Sequence, residues 1–331
     1  MQFSRRLAMQ LALGSTIPGW MAASTALANQ QPLRYPSKPL RIIVPYPAGG
    51  GADIIGRAIA AGLNQSFGVA AIVENKPGAS GTLGNDLVAK SAPDGHTLLL
   101  GITAMIQAPA LYPKLPYDVM KDLAPLSQLA LSADLFIVPG NSPARTLSEF
   151  IALAKAQPSH FQCGNYGSGT SSHLHGELLK LKTGLDLTSV PYKGAAPLLN
   201  DLLGAQLSSA FLDVSSANAH LSSKRLRVLA ITGQQRHPAL PQVPTFTESG
   251  YPGFEANGWF GTFVPSATPQ PIVDKLSTEI RRIVASPELS TRMRSMGLLP
   301  LGGTPQELKA AMERDLPHWA RIVEQAHIRL D

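Results

Sequence analysis

The sequence predicts an α/β fold built on two similar sheets, and three observations predict it. The run LRIIVPYPAGGGADIIGR at 40–57 passes from an apolar strand through a glycine loop into a helix. The same device recurs at 161–182, FQCGNYGSGTSSHLHGELLKLK. Around both, short apolar runs alternate with helical periods, the pattern of sheets with helices packed on their faces.

Taken in order, 40–44 is a β-branched run flanked by prolines, as in a buried strand. Asp53 reads as the N-cap of a helix whose apolar spacing is Ile54, Ile55, Ala58, Ile59 and Leu63. Pro47, Ala48, Gly49, Gly50, Gly51 and Ala52 carry almost no side chain, so the backbone can approach a ligand closely. Bare amides at a helix start favour an anion; a tight turn that binds nothing is the plain alternative. A second strand is expected at 70–73, a turn-rich loop at 75–81, a helix at 82–91 and a third strand at 97–100. Ligands bind beyond the carboxyl ends of such strands, which puts 48–53, Ser80 to Thr82 and Thr103 on one wall.

The proline-rich section 109–125 reads as loop or short helix, followed by a strand at 135–138 and a helix at 147–156. Strand 161–164 leads into the loop 166–172 and a helix over 173–182. A strand at 188–192, a loop through Lys193 and Gly194, and a helix at 197–203 follow. The run 207–212 leads to Asp213, and 226–232 is another strand. The apolar run 258–264, with Trp259 at a hinge, carries the chain back to the first sheet. The tail is helical, with periods through Ile272, Leu276, Ile280 and through Leu308, Met312, Trp319 and Val323.

Composition removes several function classes. Arg5 and Arg6 precede an apolar stretch and an Ala26-Leu27-Ala28 cleavage signal, which predicts export and removal of 1–28. The adjacent arginines leave the general and twin-arginine routes both open. That stretch is too short and too interrupted to span a bilayer. The formal charge is +6 over 331 residues, without a dense Lys/Arg run interleaved with aromatics, so no nucleic-acid role is expected. Cys163 is the only cysteine, which excludes an internal disulfide and a thiolate cluster; it reads as a small buried residue. His173 and His175 would point about 200° apart on a helix, so no metal site is expected, nor any cofactor.

The remaining polar residues allow competing chemistry. Ser168, His173 and Asp213 are the residue types of a hydrolytic triad, which makes an exported serine hydrolase the enzymatic alternative. Tyr166 stands where a nucleophile elbow needs its first glycine. A dinucleotide fingerprint fails at Ile54. Ser168, Thr170 and Ser171 can hold a carboxylate through hydroxyls and amides. Lys193 either sends a charge into the cleft or is a solvated loop lysine. Asp213 either meets ligand amines or water, or caps a turn.

Ordered motifs across the mature chain carry a family resemblance. They are Tyr35-Pro36 with 39–50 and Asp53, then NKPGA at 75–79, APDGHTLL at 92–99, and His173-Leu174 with Gly176-Glu177-Leu178. After these come VPYKG at 190–194, DLLG at 201–204, Val243-Pro244-Thr245 with Glu248 and Gly250, and Trp259 with Pro265. This order resembles the Bug family, the extracytoplasmic receptors of tripartite tricarboxylate transporters. The resemblance implies a two-lobed type II periplasmic-binding-protein fold with mainly parallel sheets. Lobe 1 would be 29–130 with 258–331, and lobe 2 would be 131–257.

The resemblance further implies a periplasmic, monomeric, non-enzymatic receptor. It would capture a di- or tricarboxylate, an acidic amino acid or an aromatic acid and deliver it to inner-membrane permease subunits; presentation of the liganded receptor to a sensor kinase is the alternative binding role. Tyr46, Ala48, Gly49, Gly50 and Asp53 map onto the family's ligand loop. The opposing loop, 167–172, is two or three residues shorter than the family pattern. It offers Ser168, Gly169, Thr170, Ser171 and His173, and Ser80, Thr103, Lys193, Gly194 and Asp213 complete the expected set.

Overall fold

The computed structural model describes residues 35–330 apart from 113, 222 and 223; the predicted leader and its cleavage point lie outside the described residues. β1 (Leu40–Val44), α1 (Gly51–Phe67), β2 (Ala71–Asn75), α2 (Thr82–Ala89), β3 (Thr97–Ile102), α3 (Ala104–Leu111) and β4 (Leu123–Ser132) form the first run of elements. β5 (Asp134–Pro139), α4 (Leu147–Ala156), β6 (Phe161–Asn165), α5 (Ser171–Thr183), β7 (Leu187–Pro191), α6 (Ala195–Leu203), β8 (Ser209–Asp213), α7 (Val214–Ala217) and β9 (Leu226–Ile231) form the second. The chain returns through β10 (Gly258–Pro265), α8 (Gln270–Val284), α9 (Pro287–Ser295), β11 (Leu299–Pro300) and α10 (Pro305–Gln325).

These strands make two sheets, in the orders β11-β4-β10-β3-β1-β2 and β7-β6-β8-β5-β9. Each contains the same parallel trio, β2-β1-β3 or β7-β6-β8, with a strand added antiparallel to its last member. Where the sequence predicts mainly parallel sheets, both are therefore mixed. The physical reason is that β5 and β10 begin where the chain crosses from one sheet to the other. Each enters beside β8 or β3 running the opposite way. In each trio the strand order reverses at β1 or β6, and ligand crevices form beyond the carboxyl ends at such a reversal.

Chain crossings occur at Ala133, between β4 and β5, and over 232–257, between β9 and β10. Asp134 N–H donates to Thr232 Oγ1 at 2.9 Å, and Thr232 N–H to Asp134 O at 2.9 Å, so the two crossings are stitched together. One apolar core includes Ile43, Leu99 and Phe263 from the first sheet, Phe136 and Phe211 from the second, and Trp319, Ile322 and Val323 of α10. Helix α10 is thus the common wall of both halves. Cys163 is buried among them, and burial pushes its thiol up to about 12, so it stays protonated.

Three local expectations differ from the structure. Helix α1 begins at Gly51 with Gly50 as its N-cap, and Asp53 sits inside the first turn. Gly50 adopts the extended backbone of a cap without a side-chain bond (φ −77°, ψ 170°), and the Asp53 carboxylate reaches back to Gly49 instead. Helix α3 runs through Pro109. Strand β4 starts at Leu123, inside the end of the proline-rich section, and Pro125 falls at a register shift against Phe263, where pairing is already irregular.

Candidate functional site

One cleft, of about 410 Å³, gathers the carboxyl ends of both parallel trios. Tyr46 follows β1, Thr103 follows β3, Tyr166 follows β6 and Asp213 ends β8, and all four line it. Ser132, Asp134, Gly258 and Trp259 line it from the crossings. Two larger cavities, of about 570 and 760 Å³, lie away from these strand ends. The arginines of the second are engaged already, Arg236 with Glu248, Arg281 with the Gly302 carbonyl and Arg314 with Asp315.

The first wall is the β1–α1 loop. Ala48, Gly49 and Gly50 are exposed, and Ala48, Gly50, Gly51 and Ala52 line the cleft. The loop is held from behind by Asp53, which is only 4 % exposed. Its carboxylate accepts from Gly49 N–H at 3.0 Å, from Arg57 Nε at 3.0 Å and from Asn75 Nδ2 at 3.0 Å. Asn75 also donates to the Tyr46 carbonyl at 3.0 Å. The Arg57 guanidinium, then the Gly49 amide, holds the Asp53 carboxyl at about 2, so it is ionised throughout the physiological range. Gly81, at φ +96°, lets the Tyr46 hydroxyl approach; a Cβ there would lie 2.8 Å from Tyr46 Oη.

The opposite wall is the β6–α5 loop. Thr170 Oγ1 donates to the Gly167 carbonyl at 2.6 Å, and Gly169 N–H donates to His173 Nδ1 at 3.0 Å. Burial pushes the His173 imidazole down, keeping it neutral and Nδ1 free to accept. The loop therefore secures itself, leaving the first amides of α5, from Ser171, without helix partners of their own. Thr170 and Ser171 line the cleft. Between the walls, α3 opens at Ala104, and Gln107 from its second turn donates to Ser171 Oγ at 3.0 Å.

The expected site residues divide accordingly. Tyr46, Ala48, Gly50, Thr103, Thr170, Ser171 and Asp213 come together in the lining. Asp53, His173 and Gly49 stand behind it as supports of the two loops. Ser80 is exposed and bonded to Tyr112 Oη at 3.0 Å, and Ser168 and Lys193 are exposed. Gly169 packs against Leu111 and Leu330, and Gly194 N–H donates to the Tyr166 carbonyl at 3.2 Å. Thr103 Oγ1 also accepts from Trp259 N–H at 2.6 Å, tying the return strand to the cleft floor.

Sequence reasoning missed Gln107 and Asp134, which have no local motif around them. No hydrogen bond among the described residues joins Ser168, His173 and Asp213. Asp213 instead caps α7, accepting from Ser216 N–H at 2.9 Å and Ser216 Oγ at 2.7 Å.

No lining residue is Lys or Arg. The positive ends of α1, α3 and α5 face the cleft instead, an arrangement that can hold an anion by backbone dipoles.

The comparisons with known proteins agree with this geometry. The tripartite tricarboxylate transporter family receptor profile, TctC, matches residues 55–328. Protein BugT of Bordetella pertussis is 33% identical over 298 residues, covering 89% of this chain and 91% of its own length. The solved periplasmic binding protein BugD superimposes with a TM-score of 0.77 at 33% identity, over 89% of this chain and 100% of its own. The adipate-bound structure of Rpa4515 from R. palustris gives 0.79 at 31% identity, over 89% and 100%. Among the described residues no helix is long and apolar enough to cross a membrane. The chain belongs to the tripartite tricarboxylate transporter receptor family, whose members are periplasmic solute-binding proteins and not enzymes.

Proposed function

We propose that this protein is exported to the periplasm, closes its two lobes on a small carboxylate and delivers it to the permease subunits of a tripartite tricarboxylate-type transporter. The observation that carries the reading is the cleft itself. Three helix N-termini converge there beside exposed loop backbone, without a lysine or arginine in the lining. Amide donors and helix dipoles then replace a cation as the partner of the ligand carboxylate. A volume of about 410 Å³ suits a small organic acid. The adipate held by the relative from R. palustris supports a carboxylate as the ligand class.

The lobe division 29–130 with 258–331, and 131–257, is supported by strand membership, since β5 to β9 share one sheet and the other strands share the second. Closure would be a hinge motion at the two crossings, driven by contacts from both lobes to one ligand. Ala48, Gly50 and the first amides of α1 would serve one end of the carboxylate, with Thr170, Ser171 and the first amides of α5 opposite.

Deleting the gene in its host and following uptake of radiolabelled dicarboxylates tests the reading. Loss of uptake of one compound is the expected result. Unchanged uptake of every compound, with loss of a transcriptional response to one of them, would move the protein from transport to signalling.

A further inference from the structure

The β6–α5 loop bonds to itself, yet it also makes an apolar contact with elements of the other sheet. Gly169 is buried although its neighbour Ser168 is exposed. A Cβ on Gly169 would lie 2.6 Å from Leu330 Cδ1 and 2.9 Å from Leu111 Cδ1, so the bare α-carbon occupies a slot between these two leucines. Its φ of +75° disfavours a side chain independently. Leu111 is the last residue of α3, which follows β3, and Leu330 lies beyond α10, which follows β11. Both of those strands belong to the first sheet, whereas β6 belongs to the second.

The segment that carries Leu330 is placed by the end of α10. His327 N–H donates to Glu324 O at 3.2 Å and Ile328 N–H to Val323 O at 3.0 Å, the paired bonds that reverse a chain at a helix end. His327 takes a φ of +52° there, where glycine is usual and a β-carbon is unfavourable. Apolar contacts beyond the turn offset that strain. His327 and Arg329 are exposed, while Ile328 and Leu330 are half-buried against the core that includes Leu111, Leu174 and Val323.

Resting on the closure reading above, we propose that residues 326–330 form a strap that positions the β6–α5 loop for the ligand, with Leu330 as its positioning residue. Gly167 and Gly169 give this loop wide conformational freedom. The slot removes part of that freedom before the ligand arrives, so Thr170, Ser171 and the first amides of α5 are already in place. Opening the cleft draws the loop away from α3 and withdraws Gly169 from between the leucines, which uncovers apolar surface. The strap therefore acts mainly on ligand release.

Leu330→Ala and Leu330→Met, the second of which keeps the apolar bulk, test this in the exported, purified protein. Without ligand, hydrogen exchange of the 167–171 amides, read by mass spectrometry, should quicken about fivefold in Leu330→Ala, the scale of one or two methylenes of lost contact. Leu330→Met should stay near the unaltered rate. Succinate, adipate, citrate, L-aspartate and benzoate serve as ligand probes. Those that bind should leave Leu330→Ala about fivefold faster at an unchanged association rate, and should leave Leu330→Met as they leave the unaltered protein. Gly169→Ala should cost less affinity in the Leu330→Ala background than alone, because one of its two close contacts is gone. Unchanged loop exchange in Leu330→Ala, or a Leu330→Met variant that behaves like it, would overturn the strap. Faster exchange with unaltered ligand release would overturn its part in binding. If none of these probes binds the unaltered protein, the carboxylate reading fails, and the exchange of the loop still decides the strap.

Discussion

Gln107 Nε2 donates to Ser171 Oγ at 3.0 Å, and the two residues belong to helices that follow strands of different sheets. The bond joins the second turn of α3 to the first residue of α5, inside the cleft. It therefore helps hold the two walls at the spacing seen here. A net intramolecular hydrogen bond contributes about 1 kcal/mol. Gln107→Met keeps the side-chain volume and removes the bond, and should weaken ligand binding about fivefold by calorimetry. Unchanged affinity would mean that the clasp has no part in the bound state.

Gly50 tolerates a side chain at its own backbone angles, and the nearest atom to an added Cβ is the Pro47 carbonyl oxygen at 3.7 Å. Gly50→Trp should therefore fold, with stability changed by no more than about 0.5 kcal/mol, as for most exposed sites. The indole would fill the cleft, and binding should be lost. Circular dichroism and titration on the same preparation check both halves. Full affinity in this variant would take the β1–α1 loop out of the site.

Asp53 predicts an acid-sensitive loop. Its carboxyl is held at about 2 by Arg57 and Gly49, below the ordinary unfolded value near 4. A depressed carboxyl contributes stability that is fully present above about pH 4 and is lost as pH falls through about 2. Asp53→Asn should lower stability at pH 7 by about 2 kcal/mol, the scale of hydrogen bonds to a charged group. It should also flatten the decline between pH 4 and 2. Chemical unfolding across that range measures both, and an unchanged slope would show that Asp53 is not the titrating anchor.

How much of this was legible beforehand depended on sequence distance. The β1–α1 loop was readable because strand, glycines and helix are consecutive, so local rules decide them. Even there the cap is Gly50 and not Asp53, which carries the stronger local signal, because a glycine at an extended ψ can start a helix without a side-chain bond. Helix α3 was hidden because Pro109 reads as a breaker, yet it lies two residues from the helix end, where little helix follows it. Gln107 pairs with a residue 64 positions away, and Asp134 meets Asp213 only once β5 has entered beside β8. Such pairings are products of topology, and no window on the sequence contains both partners.

Export makes a direct prediction about the chain end. Protein recovered from the periplasm should begin at Asn29, as read by intact mass. A start at Met1 would contradict cleavage of the leader.

The most direct test of the account is a thermal-shift screen of the exported protein against mono-, di- and tricarboxylates, acidic amino acids and aromatic acids, with each hit recovered for chemical identification. Ligand at about a hundred times its dissociation constant adds about 2.7 kcal/mol to stability, at roughly 2 °C or slightly less per kcal/mol for a chain of this size. A selective upward shift with at least one carboxylate, recovered unchanged, is the predicted result. A protein indifferent to every carboxylate, or one that returns its ligand as a different compound, would contradict it.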